Sequence, residues 1–183
     1  MRSAVASRVG LLRAVNLGSH NKVSMADLRA LMTALGLAEP QTLLQSGNVV
    51  FRSDASPAEL EVRLEQAAAT RLGLHTDFFV RSAKEWRAIV DNNPFPKEAR
   101  ADPSHLLAVV LRQEVPSSTV EGLQQSIIGR EIVRAKGRCL YVVYPEGIGR
   151  SPLTSALIEK KLGTRGTARN WNTVLKLDEL ART

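Results

Sequence analysis

Two short segments of the sequence carry side chains suited to binding an anion or a planar polar ligand. The loop 16–22 follows an apolar stretch, and Ser46-Gly47-Asn48 has the composition of a tight turn. Amide side chains both donate and accept hydrogen bonds, and lysine and arginine supply positive charge. The alternative is that these residues only form the turns and set the hairpin register. The candidate binding residues are Arg13, Asn16, Asn21, Lys22, Ser46 and Asn48, with His20 and Gln45 beside them.

A second candidate segment, 167–173, lies just before the last predicted helix. Asn170 is placed to cap that helix, which would put Arg169 at the positive end of the helix dipole. A cation there is unfavourable unless an anion answers it, and a phosphate held by Arg169 and the helix amides would do so. Asn170 and Asn172 would add directional hydrogen bonds. The alternative is that Trp171 anchors the core and Arg169 pairs with a distant acid.

Residues suited to catalysis are few. The three histidines show no metal-ligand spacing, so we expect neither a metal nor a cofactor. His20 is the weak candidate for an acid or base, although a lone loop histidine often only faces solvent. Cys139 lies in an apolar stretch and is expected to be an inert core thiol. No phosphate-binding loop, dinucleotide fingerprint or nucleophile elbow is present.

The elements that would position the first pair of segments follow the order β-α-β-β-α-β. Helices are predicted to begin after the caps Ser24 and Ser56. This is the order of a ferredoxin-like plait, in which the third strand fills the gap between the first two. The loop 16–22 and the turn 46–48 should therefore be neighbours at one end of the sheet. The predicted strands are 9–15, 42–45, 49–52 and 76–81.

A similar pattern follows in the second half of the chain, without a clear last strand. Its strands are predicted at 105–112, 131–134 and 139–144, with helices that begin at Ser118 and Ser151 and a final helix at 171–181. The predicted class is α+β, with two ferredoxin-like (split β-α-β) plaits, a connecting helix and a C-terminal helix. The domains are residues 1–81, a connecting helix and linker at 82–104, and residues 105–183 with the final helix.

The charge of the chain is unevenly distributed. The formal net charge is +7, and residues 129–183 hold 11 Lys and Arg against 5 Asp and Glu. Such a basic third attracts phosphate, carboxylate or nucleic acid, or it only keeps the protein soluble. Reading of RNA on the sheet face is disfavoured, because Tyr141 and Tyr144 should lie on opposite faces and the first strand has no aromatic residue.

The location of the protein is predicted from features that the sequence lacks. No apolar run approaches the roughly 20 residues that span a bilayer, so no membrane partner is expected. The first eight residues contain no apolar stretch of the kind found in secretory signals. The single cysteine permits no internal disulfide. We therefore expect a cytoplasmic protein.

Five segments of the chain resemble one family. They include Gln-Ser-Gly-Asn-Val-Val-Phe at 45–51 and Arg-Asn-Trp-Asn-Thr at 169–173, with further matches at 11–18, 21–25 and 93–96. The sequence is similar in these segments to the domain of unknown function 1697 family. The resemblance implies a mainly bacterial protein with two ferredoxin-like plaits and no assigned activity. The sequence departs from the family pattern at Ala14 and Ser19, where glycine is usual, and at Ala168, where threonine is usual.

From the sequence we hypothesise that the chain is a binding protein. A polar cleft between the 16–22 loop, the 46–48 turn and the 169–173 segment would hold an anionic or phosphate-bearing ligand. The partner would be an anionic small molecule, such as a nucleotide, or a nucleic acid. One alternative is an enzyme of unknown reaction that uses His20 in the same cleft, and another is a structural or interaction module.

Overall fold

The chain folds into two compact units, and the computed structural model describes residues 5–183. The N-terminal unit extends to Arg87 and includes Leu177–Thr183, and the C-terminal unit is Ala88–Lys176. With 43% helix and 25% strand in two antiparallel sheets, the predicted α+β class with two plaits is confirmed. Residues 1–4, which belong to the predicted first domain and to the stretch tested for a signal, lie outside the described residues. No helix in residues 5–183 is both long enough and apolar enough to cross a membrane.

The N-terminal unit is a four-stranded antiparallel sheet with two helices. Its sheet order is β2-β3-β1-β4, so the third strand lies between the first two, as the predicted plait requires. The elements are β1 (Ala6–Leu12), α1 (Met25–Ala34), β2 (Ala38–Leu43), β3 (Asn48–Ser53), α2 (Pro57–Leu72) and β4 (Phe78–Ser82).

Alternation along the strands builds the core of this unit. In β3 and β4 alternate residues, such as Val49 and Phe51 of β3, are buried against the helices together with Leu28 and Leu64. Helix α2 begins with a capping box, in which Ser56 and Glu59 bond each other's backbone N–H groups. This arrangement places α1 and α2 on one face of the sheet and leaves the loop after β1 at its end.

The C-terminal unit repeats the architecture, with sheet order β6-β7-β5-β8. Its core joins alternate residues of β5 and β7 to the apolar stripes of α5 and α6. Two helices, α3 and α7, each have residues in both units. The remaining elements are α3 (Ala83–Asp91), α4 (Pro96–Ala101), β5 (Leu106–Leu111), α5 (Ser117–Ser126), β6 (Ile132–Lys136), β7 (Cys139–Val143), α6 (Ser155–Leu162), β8 (Gly166–Asn170) and α7 (Trp171–Arg182).

Several element boundaries differ from the prediction. The first strand ends at Leu12, not at residue 15, because Ala14 adopts the left-handed φ of 51° and turns the chain away from the sheet. The linker before Ser104 contains helix α4. Helix α6 is capped by Thr154, not begun at Ser151. Strand β8, which the sequence analysis missed, completes the second plait by pairing with β5.

Candidate functional site

The loop after β1 and the turn before β3 are neighbours, as the plait topology predicts. The Nδ2 of Asn16 donates a hydrogen bond of 2.6 Å to the Gln45 carbonyl oxygen. The Leu12 N–H donates to the carbonyl oxygen of Gly47 at 2.8 Å. Gly47 has a φ of 79°, and a Cβ there would lie 2.7 Å from Cγ2 of Val15. A glycine is therefore required where the turn meets the loop.

Asn16 holds the loop in place through its side-chain amide. Its Oδ1 accepts from the Val23 N–H at 2.9 Å, and its Nδ2 donates to the Val23 carbonyl at 3.0 Å. With the bond to Gln45, both donor hydrogens of the amide are engaged within the protein. Asn16 also has a φ of 56°, a left-handed conformation that asparagine tolerates better than most residues. Its amide donors fix the loop and are therefore not available for the ligand-binding role predicted for this residue.

Asn48 has a similar role in the turn. Its side chain is fully buried, and its Nδ2 donates to the Leu43 carbonyl and to Oγ of Ser46, both at 2.9 Å. These bonds close the hairpin between β2 and β3. The hydrogen bonds of Asn16 and Asn48 therefore favour the alternative interpretation, in which these residues form the turns and set the hairpin register.

The exposed side chains at this end of the sheet are mainly cationic or polar. His20, Asn21 and Lys22 are exposed, and Arg13 is partly exposed with its Nη1 3.9 Å from Asp77. The segments 13–26 and 40–53, which the Asn16–Gln45 bond joins, contain no aspartate or glutamate. The positive charge at this end of the sheet comes from the 13–26 segment, because Arg52 of the other segment lies near the far end of β3 and pairs with Glu39.

The N-terminus of α1 is occupied by its own residues. The hydroxyl of Ser24 accepts from the Asp27 N–H at 3.0 Å and donates to the carboxylate of Asp27 at 2.7 Å. The acid in the first turn already answers the positive end of the helix dipole. The positive end of this helix is therefore already compensated by Asp27, which disfavours the anion binding predicted at its start.

Arg169 lies within strand β8, where the prediction placed it in a loop before the helix. Its side chain is buried, and its Nη1 donates to Oγ1 of Thr167 and to the Ala168 carbonyl, both at 2.8 Å. Burial lowers the pKa of the Arg169 guanidinium to about 10. The guanidinium thus forms part of the hydrogen-bonded interior of the C-terminal unit.

The remaining residues of the 169–173 segment begin helix α7. The Oδ1 of Asn170 accepts from the Asn172 N–H at 3.0 Å, the bond expected of a helix N-cap, and its Nδ2 donates to the Ser104 carbonyl at 2.9 Å. Asn172 is exposed, and Trp171 is buried with its ring centroid 6.3 Å from that of Tyr141. Trp171 is therefore part of the core, as the alternative interpretation of this segment held.

Other groups with reactive chemistry are mostly committed to the fold. Cys139 is buried, and its thiol donates to the Leu140 carbonyl oxygen at 3.8 Å. The hydroxyls of Tyr141 and Tyr144 donate to the carbonyls of Ile89 and Leu153, and burial, assisted by Glu131, raises the pKa of Tyr144 to about 12. Residues 5–183 contain no cluster of ligands that could hold a metal ion.

Sequence reasoning missed an aspartate–histidine pair in the C-terminal unit. The Nδ1 of His105 lies 3.2 Å from Oδ2 of Asp102, and the hydrogen bond from Ser104 lowers the pKa of the Asp102 carboxyl, with His105 acting in the same direction. The spacing Asp-Pro-Ser-His is the signal that could have revealed it. Because Asp102 caps a short 3₁₀ turn, the pair stabilises the entry to β5.

The fold and the loop–turn geometry define a double α+β plait protein with polar loops at one end of its first sheet. A family model described as "Protein of unknown function (DUF1697)" matches residues 5–141, and the chain belongs to this family. The 169–173 segment lies beyond the matched residues.

The same fold occurs in a solved structure, described as that of the conserved bacterial protein SP0830 from Streptococcus pneumoniae. That protein is 24% identical, with a TM-score of 0.76 over 97% of this chain and 99% of that chain. At this identity the likeness establishes the fold alone. No curated protein matches the sequence.

Proposed function

We propose that the protein binds an anionic, phosphate-bearing ligand, a nucleotide or a nucleic acid, at the loop–turn surface of its N-terminal unit. The loop–turn surface consists of the exposed parts of the 13–22 loop and the 44–46 turn. The supporting observation is that two segments without acidic residues meet there and present His20 and Lys22, with Arg13 partly exposed beside Asp77. The proposal includes a cytoplasmic location, where such ligands are abundant.

A loop that is already fixed binds at a lower entropic cost than a mobile one. The three side-chain bonds of Asn16 supply this order without using the exposed groups. Lys22 then provides a point charge, and the exposed amide of Asn21 can bond a phosphate oxygen or a base edge. The 169–173 segment is left out of the proposal, because the guanidinium of Arg169 is buried on its own strand.

The test is to titrate the protein with ATP, and separately with a short single-stranded oligonucleotide, and to measure the change in the NMR chemical shifts of the backbone amides. We expect shifts confined to the loop–turn surface and an affinity about fivefold lower in Lys22→Gln, the loss of one partly screened charge contact. The matched control is Lys84→Gln, which removes an exposed lysine of α3 elsewhere in the same unit. Binding of the oligonucleotide should also weaken steeply as salt is raised.

Two outcomes would contradict the proposal as a whole, and a third would exclude one of its ligands. Shifts spread evenly over the surface, or an equal loss of affinity in the Lys84 control, would indicate nonspecific attraction by net charge. Binding unaffected by salt would exclude nucleic acid as the ligand, since its phosphates release counterions on binding.

A protein-interaction module is the second candidate, favoured by two exposed leucines at the same place. Leu17 is 70% exposed and Leu44 is 56% exposed, and Leu44 has the strained φ of 60°. Exposed apolar side chains beside cations suit a partner protein better than a nucleotide. If Leu17→Ser with Leu44→Ser leaves nucleotide binding intact, the leucines do not serve the anion site.

A further inference from the structure

A groove in the C-terminal unit lies between helix α5 and strand β6. It encloses about 900 Å³ and is open to solvent. A volume of this size is typical of binding sites. Its apolar and amide lining includes Val115, Pro116, Val120, Gln124, Val133 and Ala135.

Strand β6 is an edge of its sheet, and its outer backbone groups face the groove. The N–H of Val133 donates to Oε1 of Gln124 at 2.8 Å, and Nε2 of Gln124 donates to the Glu131 carbonyl at 3.2 Å. In an antiparallel strand the outward residues alternate, so the N–H and C=O of Ala135 point in the same direction as those of Val133. The amide of Gln124 thus occupies the position that the backbone of a neighbouring strand would take.

We propose that the groove binds an extended segment of a partner protein, which adds a fifth strand along the outer edge of β6. The segment replaces or extends the bonds of Gln124 and continues along Ala135. Its residues alternate between apolar and acidic. The apolar side chains enter the groove and cover Val115, Pro116 and Ala135, which line it and are still accessible to solvent.

Charge on the other face of β6 determines the acidic half of the pattern. Arg134 and Lys136 also line the groove, but they alternate with Val133 and Ala135, so their side chains leave the strand on the face away from the groove floor. Arg134 is held with its Cζ 5.1 Å from the centroid of the Phe95 ring. An added strand places its own side chains directly opposite these cations, where acidic residues are favoured.

The same charges disfavour symmetric pairing with the β6 edge of a second copy of this chain. Pairing of two β6 edges would bring Arg134 and Lys136 next to like charges, which destabilises a cross-strand pair. On the helix side, Glu114 and Glu121 line the groove and would repel acidic side chains placed there. Attraction by Arg134 and Lys136 and repulsion by Glu114 and Glu121 both favour the orientation in which the acidic side chains of the partner segment point away from the groove.

The experiment measures binding of a capped peptide of alternating valine and glutamate to the full chain by fluorescence anisotropy. A peptide with lysine in place of glutamate is the matched control. We expect binding of the glutamate peptide alone, with the Ala135 amide signal shifted in NMR spectra. Ala135→Pro removes the outward N–H but leaves the bonds to β7, and should weaken binding about tenfold.

A second measurement guards against an unfolded variant. The glutamate peptide N-methylated at alternate residues loses its ladder bonds without any change in the protein, and it should bind about tenfold more weakly in one of its two methylation patterns. Equal binding of the lysine peptide would overturn the proposal, and so would N-methylation or Ala135→Pro without effect. Absence of binding by the glutamate peptide would also overturn it.

Discussion

Asn16 illustrates how a residue with binding chemistry can be engaged by the fold. Asparagine was a candidate ligand group because its amide can donate two hydrogen bonds and accept others. Its donors bond to carbonyl oxygens on two different segments, at 2.6 and 3.0 Å. The residue type could therefore be identified from the sequence, but its partners depend on where the chain brings Val23 and Gln45.

Substitution of Asn16 measures this role. Asn16→Ala is expected to reduce the free energy of unfolding by about 2–3 kcal/mol, because the backbone groups of Val23 and Gln45 lose their partner. Urea denaturation monitored by circular dichroism provides the measurement. The matched control is Asn21→Ala, because Asn21 has a comparable φ of 52° but an exposed side chain. A loss in the control as large as that in Asn16→Ala would assign the effect to backbone strain, which costs roughly 1–2 kcal/mol.

Thr167 supports the buried guanidinium of Arg169. Thr167→Val keeps the β-branched shape in β8 but removes the hydroxyl that accepts at 2.8 Å. Because a lost hydrogen bond to a charged group costs about 1.5–3 kcal/mol, we expect a reduction of that size in the free energy of unfolding. Thr167→Ser retains the hydroxyl and should restore most of the difference. Equal stability of the valine and serine variants, measured by urea denaturation, would contradict a role for this bond.

Element by element, the sequence patterns predicted some structures well and others poorly. Helix α2 was predicted from its start because Ser56, Pro57 and Glu59 act locally, within one turn. Strand β8 was missed, because an edge strand is held by backbone bonds to β5 and its residues include the polar Thr167 and Arg169. Such pairing depends on distant segments and leaves no periodic signal.

The α2 capping box should make stability depend on pH. Hydrogen bonds from Ser56 lower the pKa of Glu59 below 4.5, so the carboxylate form favours the folded state. The contribution is fully present above the unfolded pKa of 4.5 and is lost as the pH falls through the lower folded value. Denaturation between pH 7 and pH 3 should therefore show a smaller acid-induced loss in Glu59→Gln. If the free energy of unfolding falls equally steeply with decreasing pH in the wild type and the variant, this linkage is excluded.

For the whole molecule, the doubled plait order was predictable and the division of the chain was not. The order of helices and strands is a local pattern repeated twice, so both sheets could be predicted from it. The last residues, Leu177–Thr183, nevertheless belong to the N-terminal unit, although they lie at the C-terminal end of the sequence. One contact of these residues with that unit is the hydrogen bond from Arg52 Nη2 to the carbonyl oxygen of Thr183 at 2.7 Å. Sequence patterning contains no signal for such a return.

Asp178 should therefore control the stability of the N-terminal unit from the far end of the chain. Its carboxylate is 3% exposed and accepts from Arg87 Nη1 at 2.8 Å and from Arg182. Asp178→Ala is expected to reduce the free energy of unfolding by about 1–2 kcal/mol, which is below the usual cost of breaking a buried pair, because both arginines are partly exposed and can be rehydrated.

Hydrogen exchange in Asp178→Ala should then accelerate in β1 and β3, since the C-terminal residues and these strands belong to one compact unit. The control is Glu179→Ala, an exposed acid on the same helix, for which exchange should be unchanged. Faster exchange restricted to α7 itself would show that the helix end frays without supporting the sheet.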